Sequence, residues 1–202
     1  MPHAAPTAPT WRTVRDSLRA HAVTLLGMLA LMWVLEALDW ALPFWQLDAH
    51  GIRPRSVAGL PGIVLAPFLH AGFAHLAANS APFLALGGLT MLGGRAIFWA
   101  VTVWVILVGG GAVWLLAPAD GIHLGASGLI FGYLGFLLSR GIFERSFGWT
   151  LVALAILVLY GGMVLGVLPT RPEVSWQGHL FGFASGIVAA WAIFPGGKSL
   201  YG

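Results

Sequence analysis

At positions 149–168 the sequence reads WTLVALAILVLYGGMVLGVL, which contains no charged residue. A run of about 20 apolar residues is long enough to cross the hydrocarbon core of a bilayer as one helix. The whole chain has this character: 58% of its 202 residues are hydrophobic and 8% are charged, against roughly 25% charged in soluble domains. A soluble fold of this size has too little interior to hide so much apolar surface. The sequence therefore predicts an integral membrane protein.

Further apolar runs along the chain bring the predicted number of membrane-spanning helices to six. The six runs are residues 22–42, 76–92, 96–117, 124–139, 149–168 and 179–194. Pro and Gly residues break the chain between them, as is typical of loops. We therefore predict an all-α membrane protein, a six-transmembrane-helix bundle. Its domain is expected at residues 21–195, between a flexible N-terminal cytoplasmic tail (1–20) and a C-terminal tail (196–202).

The Lys and Arg residues predict the orientation of this bundle. With six spans, seven of the ten lie on the side that carries both termini, and Arg53, Arg55 and Arg171 lie on the other side. Because basic loops stay in the cytoplasm, we expect both termini to be cytoplasmic in a multi-pass protein of the cell membrane. A cleavable signal peptide is an alternative interpretation of the first run, although Glu36 and Asp39 make its C-terminal flank a poor cleavage site.

The composition also excludes several kinds of chemistry. The chain has no cysteine, which excludes disulfides, thiol nucleophiles and thiolate metal sites. It has no cluster of basic residues, so nucleic acid is not an expected partner. The lipid bilayer is the expected surroundings, and we predict no cofactor.

Four polar residues are expected near the outer end of the membrane. His75 and Asn79 come at the start of the second predicted span, Ser127 at the start of the fourth, and His179 at the start of the sixth. These three spans all run from outside to inside in a six-span topology. Since polar side chains are costly in lipid, their convergence at one end indicates a functional site.

Ser127 and His179 each have a structural and a functional interpretation. A serine in a membrane helix commonly bonds to its own backbone, and a histidine near Trp176 suits the membrane interface. Glycines around Ser127, however, suggest an exposed helix start whose N–H groups have no helical partner. Gly182 and Gly186 lie roughly on the face of His179 and favour close packing of the sixth span against the fourth. That packing would bring an alcohol and an imidazole together as nucleophile and base.

His75 and Asn79 are four residues apart and therefore share a helix face. They are candidates for hydrogen bonds between helices, for capping in the case of Asn79, or for donors to an oxyanion. A metal site built from the outer histidines is a further alternative, with His70 and His123 as additional ligands. The partner of His75 at i+4 is Asn79 rather than a second histidine, however, so we predict no metal.

Three motifs together resemble those of the rhomboid family of intramembrane serine proteases. They are His75-xxx-Asn79 in the second span, Gly125-x-Ser127-Gly128 in the fourth, and His179-xx-Gly182-xxx-Gly186 in the sixth. The resemblance covers about residues 21–195 and includes the order of the motifs along the chain. It implies the minimal six-helix form of that family.

The resemblance also implies roles for individual residues. Ser127 is the implied nucleophile and His179 the implied general base of a Ser-His dyad. His75, Asn79 and the backbone N–H of Ser127 are the implied oxyanion donors. The implied activity is cleavage of transmembrane segments in single-pass or multi-pass membrane proteins, near the outer membrane face and without a metal ion.

Further residues are implied to support the site. Phe131 stands where relatives commonly have a tyrosine that supports the histidine ring, and His70 matches another histidine of the family. Two alternatives to the protease remain: a catalytically inactive relative that binds membrane proteins, and a small histidine-lined transporter.

Overall fold

The computed structural model describes residues 11–169 and 175–201, and six long helices dominate this part of the chain. The six helices are α1 (Trp11–Ala41), α2 (Phe73–Met91), α3 (Arg95–Leu116), α4 (Ser127–Phe143), α5 (Phe147–Val164) and α6 (Trp176–Ile193). The middle of α3, Val105–Gly109, is wound as a π-helix. The protein is therefore an all-α bundle of apolar helices, as the sequence predicts.

Several of these helices have the length and apolarity of membrane spans. Arg15–Ala41, Arg95–Leu116 and Phe147–Val167 meet both criteria, and α2 meets them together with the helical turns at Val57–Phe68, from which it is bent by 65°. Helix α4 is apolar but has 17 residues, so it is about 25 Å long, shorter than the ~30 Å hydrocarbon core. The six-span count remains a prediction.

The first helix begins earlier than its apolar run. Helix α1 starts at Trp11, so residues 11–20, which we placed in the N-terminal tail, continue the helix toward the first span. A helix that leaves the bilayer no longer needs apolar residues, and hydropathy alone does not mark its start. Residues 1–10, the rest of the predicted flexible tail, lie outside the described residues, as does Arg171, for which we predict an outer position.

The segment between α1 and α2 lies against the C-terminal end of α3 and the loop before α4. Four short helical turns lie in it: Leu47–His50, Val57–Gly59, Gly62–Leu65 and Ala66–Phe68. Ile52 and His123 exchange backbone hydrogen bonds in both directions, at 2.8 and 2.9 Å. The Arg55 guanidinium donates to the carbonyl of Ala117 at 2.7 Å. The loop that precedes Ser127 is thereby held by this segment.

Helix α4 lies at the centre of the bundle, whereas α5 lies at its edge. Every residue of α4 from Leu129 to Leu137 is buried, and this helix contacts α2, α3, α5 and α6. In α5 only Ala153 and Ile156 are buried, although the helix is strongly apolar. An apolar helix with an exposed apolar surface matches contact with lipid. The functional residues of α4 are thus held inside the bundle.

Glycines bring the backbones of α4 and α6 into contact. A methyl group at Gly182 would overlap the carbonyl of Gly128, and one at Gly186 would overlap the carbonyl of Gly132. Gly135 packs in the same way against the carbonyl of Phe183. This is the close approach that the glycine spacing in the sixth predicted span favours. It places the start of α4 beside the first turns of α6.

Candidate active site

Ser127 is the first residue of α4, and its surroundings fix the loop that leads into the helix. The N–H of Gly125 donates to the Ala66 carbonyl at 2.9 Å, and the N–H of Ala126 donates to Nε2 of His70 at 3.2 Å. The first N–H groups of a helix have no partner within it. The half-buried Ser127 hydroxyl thus lies beside free backbone donors at the positive end of the α4 dipole.

Only glycine fits at position 125 of this loop. Its φ angle is +112°, in the region that residues with a Cβ rarely adopt. A Cβ there would also lie 2.7 Å from Cε1 of His75. The glycine before Ser127 therefore allows the His75 ring to approach the backbone next to the serine.

His179 lies in the first turn of α6, where a backbone carbonyl fixes its ring. Its Nδ1 is 2.9 Å from the carbonyl oxygen of Gly166, in the helical turn Leu165–Val167 that follows α5. Because a carbonyl oxygen can only accept a hydrogen bond, Nδ1 carries the proton. In the neutral ring Nε2 then has the free lone pair, which is the arrangement that a general base needs.

The His179 ring is also held by Phe131. The two ring centroids are 4.1 Å apart and the ring planes differ by 8°. Both side chains are buried. The imidazole is thus held by the Phe131 ring through stacking and by the Gly166 carbonyl through a hydrogen bond.

His75 and Asn79 lie on one face of α2, as their spacing predicts. The amide of Asn79 donates to the backbone carbonyl of His75 at 3.2 Å. The His75 ring meets the His70 ring edge-on, with centroids 5.2 Å apart. Asn79 is buried and His75 is half-buried. Both side chains are therefore held close to the start of α4.

One cavity of about 850 Å³ brings these side chains together. Its lining includes His75, Asn79, Ser127, Phe131 and His179. Within the described residues, no hydrogen bond joins the Ser127 hydroxyl to the His179 ring. The two residues line the same cavity, and catalytic hydrogen bonds commonly tighten only when a substrate binds.

The other predicted residues lie around this cavity rather than in it. His70 is buried behind His75 and contacts the Ala126 N–H. Gly128, Gly182 and Gly186 lie in the contact between α4 and α6. In the parts of the chain that the structure describes, no three His, Asp or Glu side chains are arranged to hold a metal ion.

Sequence reasoning missed two features near the cavity. The Gly166 carbonyl has no sequence signal, because every residue carries a carbonyl. The other is a hydrogen bond of 2.6 Å between His123 and Ser175. These residues come four positions before Ser127 and His179, but both lie outside the helices, so no helical period in the sequence points to them.

The fold agrees with the comparison with known families. The Rhomboid domain family model matches residues 58–196, and the chain therefore belongs to the rhomboid family. An uncharacterised protein of Mycobacterium tuberculosis (strain H37Rv) is 42% identical over 95% of this chain and 83% of its own length. An uncharacterised protein of Mycobacterium leprae is 45% identical over 85% of this chain and 70% of its own. A Bacillus subtilis protein that is provisionally named rhomboid protease YdcA is 27% identical over 81% of this chain and 83% of its own length.

Proposed function

We propose that this protein is an intramembrane serine endopeptidase that uses Ser127 and His179 as a catalytic dyad. The observation that carries the proposal is the state of the His179 ring. Its Nδ1 is occupied by the Gly166 carbonyl, which leaves Nε2 as the base in the cavity that Ser127 also lines. Membership of the rhomboid family supports the same reaction class.

The reaction begins when Nε2 of His179 takes the proton of the Ser127 hydroxyl. The serine oxygen attacks the scissile carbonyl, and the negative charge that develops is met by the backbone N–H of Ser127 and by His75 and Asn79. The imidazolium then gives its proton to the leaving amine. A water molecule, activated by the same histidine, hydrolyses the acyl-enzyme and regenerates the serine.

In this proposal the Gly166 carbonyl has the orienting role that a carboxylate has in a catalytic triad. It selects the Nδ1–H tautomer through a hydrogen bond of 2.9 Å. Because it carries no full charge, it stabilises the imidazolium less than an aspartate does. The chain thus functions as a dyad with a backbone orienting group.

The substrate class follows from the position of the site in the bundle. Helix α4 is shorter than the hydrocarbon core, so a cavity above Ser127 can hold water below the outer face. We propose six spans with both termini in the cytoplasm, which places the cavity toward the outside of the cell membrane. The substrates are then transmembrane segments of membrane proteins, unwound locally to expose a carbonyl.

The test is cleavage of a tagged transmembrane reporter by the purified protein in liposomes. Wild type is expected to cleave it, whereas Ser127→Ala abolishes cleavage. Ser199→Ala, at a serine near the C-terminus and outside the cavity, is the matched control and retains the wild-type rate. Equal cleavage by wild type and Ser127→Ala would overturn the proposal. A client-binding protein without activity would retain the reporter and leave it intact.

A further inference from the structure

A second histidine–serine pair lies next to the proposed dyad. His123 Nδ1 and Ser175 Oγ are 2.6 Å apart and are separated by 52 residues in the chain. Ser127 and His179 have the same separation in sequence, since each lies four positions later. The second pair therefore links the loop before α4 to the start of α6, with the order of histidine and serine reversed.

Ser175 is the N-cap residue of α6. Its hydroxyl accepts a hydrogen bond from the N–H of Gly178 at 3.3 Å, and its carbonyl accepts one from the N–H of His179 at 3.2 Å. Side-chain caps of this kind fix the first turn of a helix. A displacement of Ser175 would thus also displace the backbone of His179.

His123 is anchored on the other side of the contact. Its backbone N–H and carbonyl both bond to Ile52, in the segment between α1 and α2. Burial lowers the pKa of the His123 imidazole by more than nearby Asp120 raises it, so the ring is neutral at pH 7. His123 therefore presents to the Ser175 hydroxyl an uncharged imidazole on a backbone that is fixed by Ile52.

Two contacts connect α4 and its preceding loop to α6, and the proposed dyad lies between them. On the inner side, Gly128 and Gly182 hold the helix backbones in contact. On the outer side, His123 and Ser175 join the segments that precede the two helices. Proton transfer between Ser127 and His179 is sensitive to small displacements, since an error of about 1 Å can reduce a rate about a hundredfold.

We infer that His123 and Ser175 are a pair of positioning residues that hold the first turn of α6, and with it His179, in place beside the start of α4. This inference rests on the proposed protease function. Neither residue takes part in bond making, so their loss is expected to lower kcat more than it changes KM.

The first experiment is a double-mutant cycle on reporter cleavage. His123→Phe and Ser175→Ala each reduce kcat by about tenfold or more, with KM within about threefold of wild type. The double variant is no slower than the slower single variant, because both changes break one contact.

His123→Asn, which keeps a polar atom in place of Nδ1, and Ser175→Thr, which keeps the hydroxyl, retain most of the activity. His50→Phe, at an exposed histidine, is the matched control and leaves kcat unchanged.

A second experiment tests the same contact by restoring it with a covalent bridge. The chain has no cysteine, so His123→Cys combined with Ser175→Cys gives a unique pair of thiols. Before the two thiols are bridged, this double-cysteine variant is expected to cleave the reporter with a low kcat. Bridging the two thiols with a short bis-thiosulfonate reagent restores kcat at least about fivefold, and cleaving the bridge with a reductant removes the gain.

The results that would overturn this inference differ from those that would overturn the proposed function. Wild-type kcat in His123→Phe, losses that multiply in the double variant, or a bridged protein as slow as the unbridged one would each overturn the inference. In those cases wild type still cleaves the reporter and Ser127→Ala does not. If wild type itself fails to cleave and Ser127 is unreactive, the proposed function fails as well.

Discussion

The imidazole of His179 lies flat on the phenyl ring of Phe131, with centroids 4.1 Å apart and planes that differ by 8°. The contact needs an aromatic face but no hydroxyl group. A phenylalanine can therefore support the ring at the position where the family commonly has a tyrosine. The two rings are close enough for each to limit the rotation of the other.

Replacing Phe131 tests this support. Phe131→Leu is expected to lower kcat by about two- to tenfold, because stacking of aromatic rings contributes about 0.5–1.5 kcal/mol. Phe131→Tyr is expected to stay within about twofold of wild type. Rates of reporter cleavage measure both, with Phe147→Leu at the exposed start of α5 as the control. A Phe131→Leu enzyme at the wild-type rate would contradict a role for stacking.

Gly166 offers a test of the carbonyl that orients His179. A methyl group at this position would lie 3.0 Å from Cζ of Phe131 and 3.3 Å from Nδ1 of His179. Gly166→Ala is therefore expected to displace the ring and to lower kcat by about tenfold or more. Gly162→Ala, four residues earlier where the added methyl meets no atom within 4 Å, is the matched control. Similar rates for the two variants would count against the orienting role of the carbonyl.

Gly182 offers a test of the contact between α4 and α6. Gly182→Ala places a methyl group in the carbonyl of Gly128 and is expected to destabilise the fold by about 1–3 kcal/mol. Gly111→Ala adds a methyl group in open space and should leave the stability unchanged or slightly higher. Thermal unfolding in detergent compares the two proteins. An unchanged Tm in Gly182→Ala would mean that α4 and α6 can move apart without loss of stability.

His70 offers a test of the loop before Ser127. In His70→Ala the buried N–H of Ala126 loses its partner, a loss that costs about 1–3 kcal/mol. The backbone of Ser127 is then less well fixed, so kcat and Tm are both expected to fall. His70→Gln, whose side-chain oxygen can replace Nε2 as acceptor, should recover part of each. If His70→Ala matches wild type in both measurements, the hydrogen bond to Ala126 has no role in placing the serine.

The sequence predicted the features that depend on residue type. Glycine at 128, 182 and 186 predicts close packing of two helices, because any larger residue prevents it. Polar residues in apolar runs predict a site, because lipid penalises them. Spacing along α2 likewise placed His75 and Asn79 on one face.

The features that escaped prediction depend on tertiary placement. The carbonyl that bonds to His179 belongs to Gly166, and nothing distinguishes it in sequence from other carbonyls. The bond between His123 and Ser175 was missed because both residues lie in loops, where no helical period relates them. The start of α1 at Trp11 was missed because hydropathy marks the bilayer and not the helix.

The most direct test of the central claim is the site of modification by a fluorophosphonate. The reagent forms a covalent bond only with a serine whose hydroxyl is activated, and peptide mass spectrometry locates the adduct. We predict a single adduct on Ser127 in wild type, and its loss in His179→Ala while Ser127 is still present. An adduct of equal yield in His179→Ala, or no adduct on Ser127 in a wild-type protein that cleaves the reporter, would contradict the account.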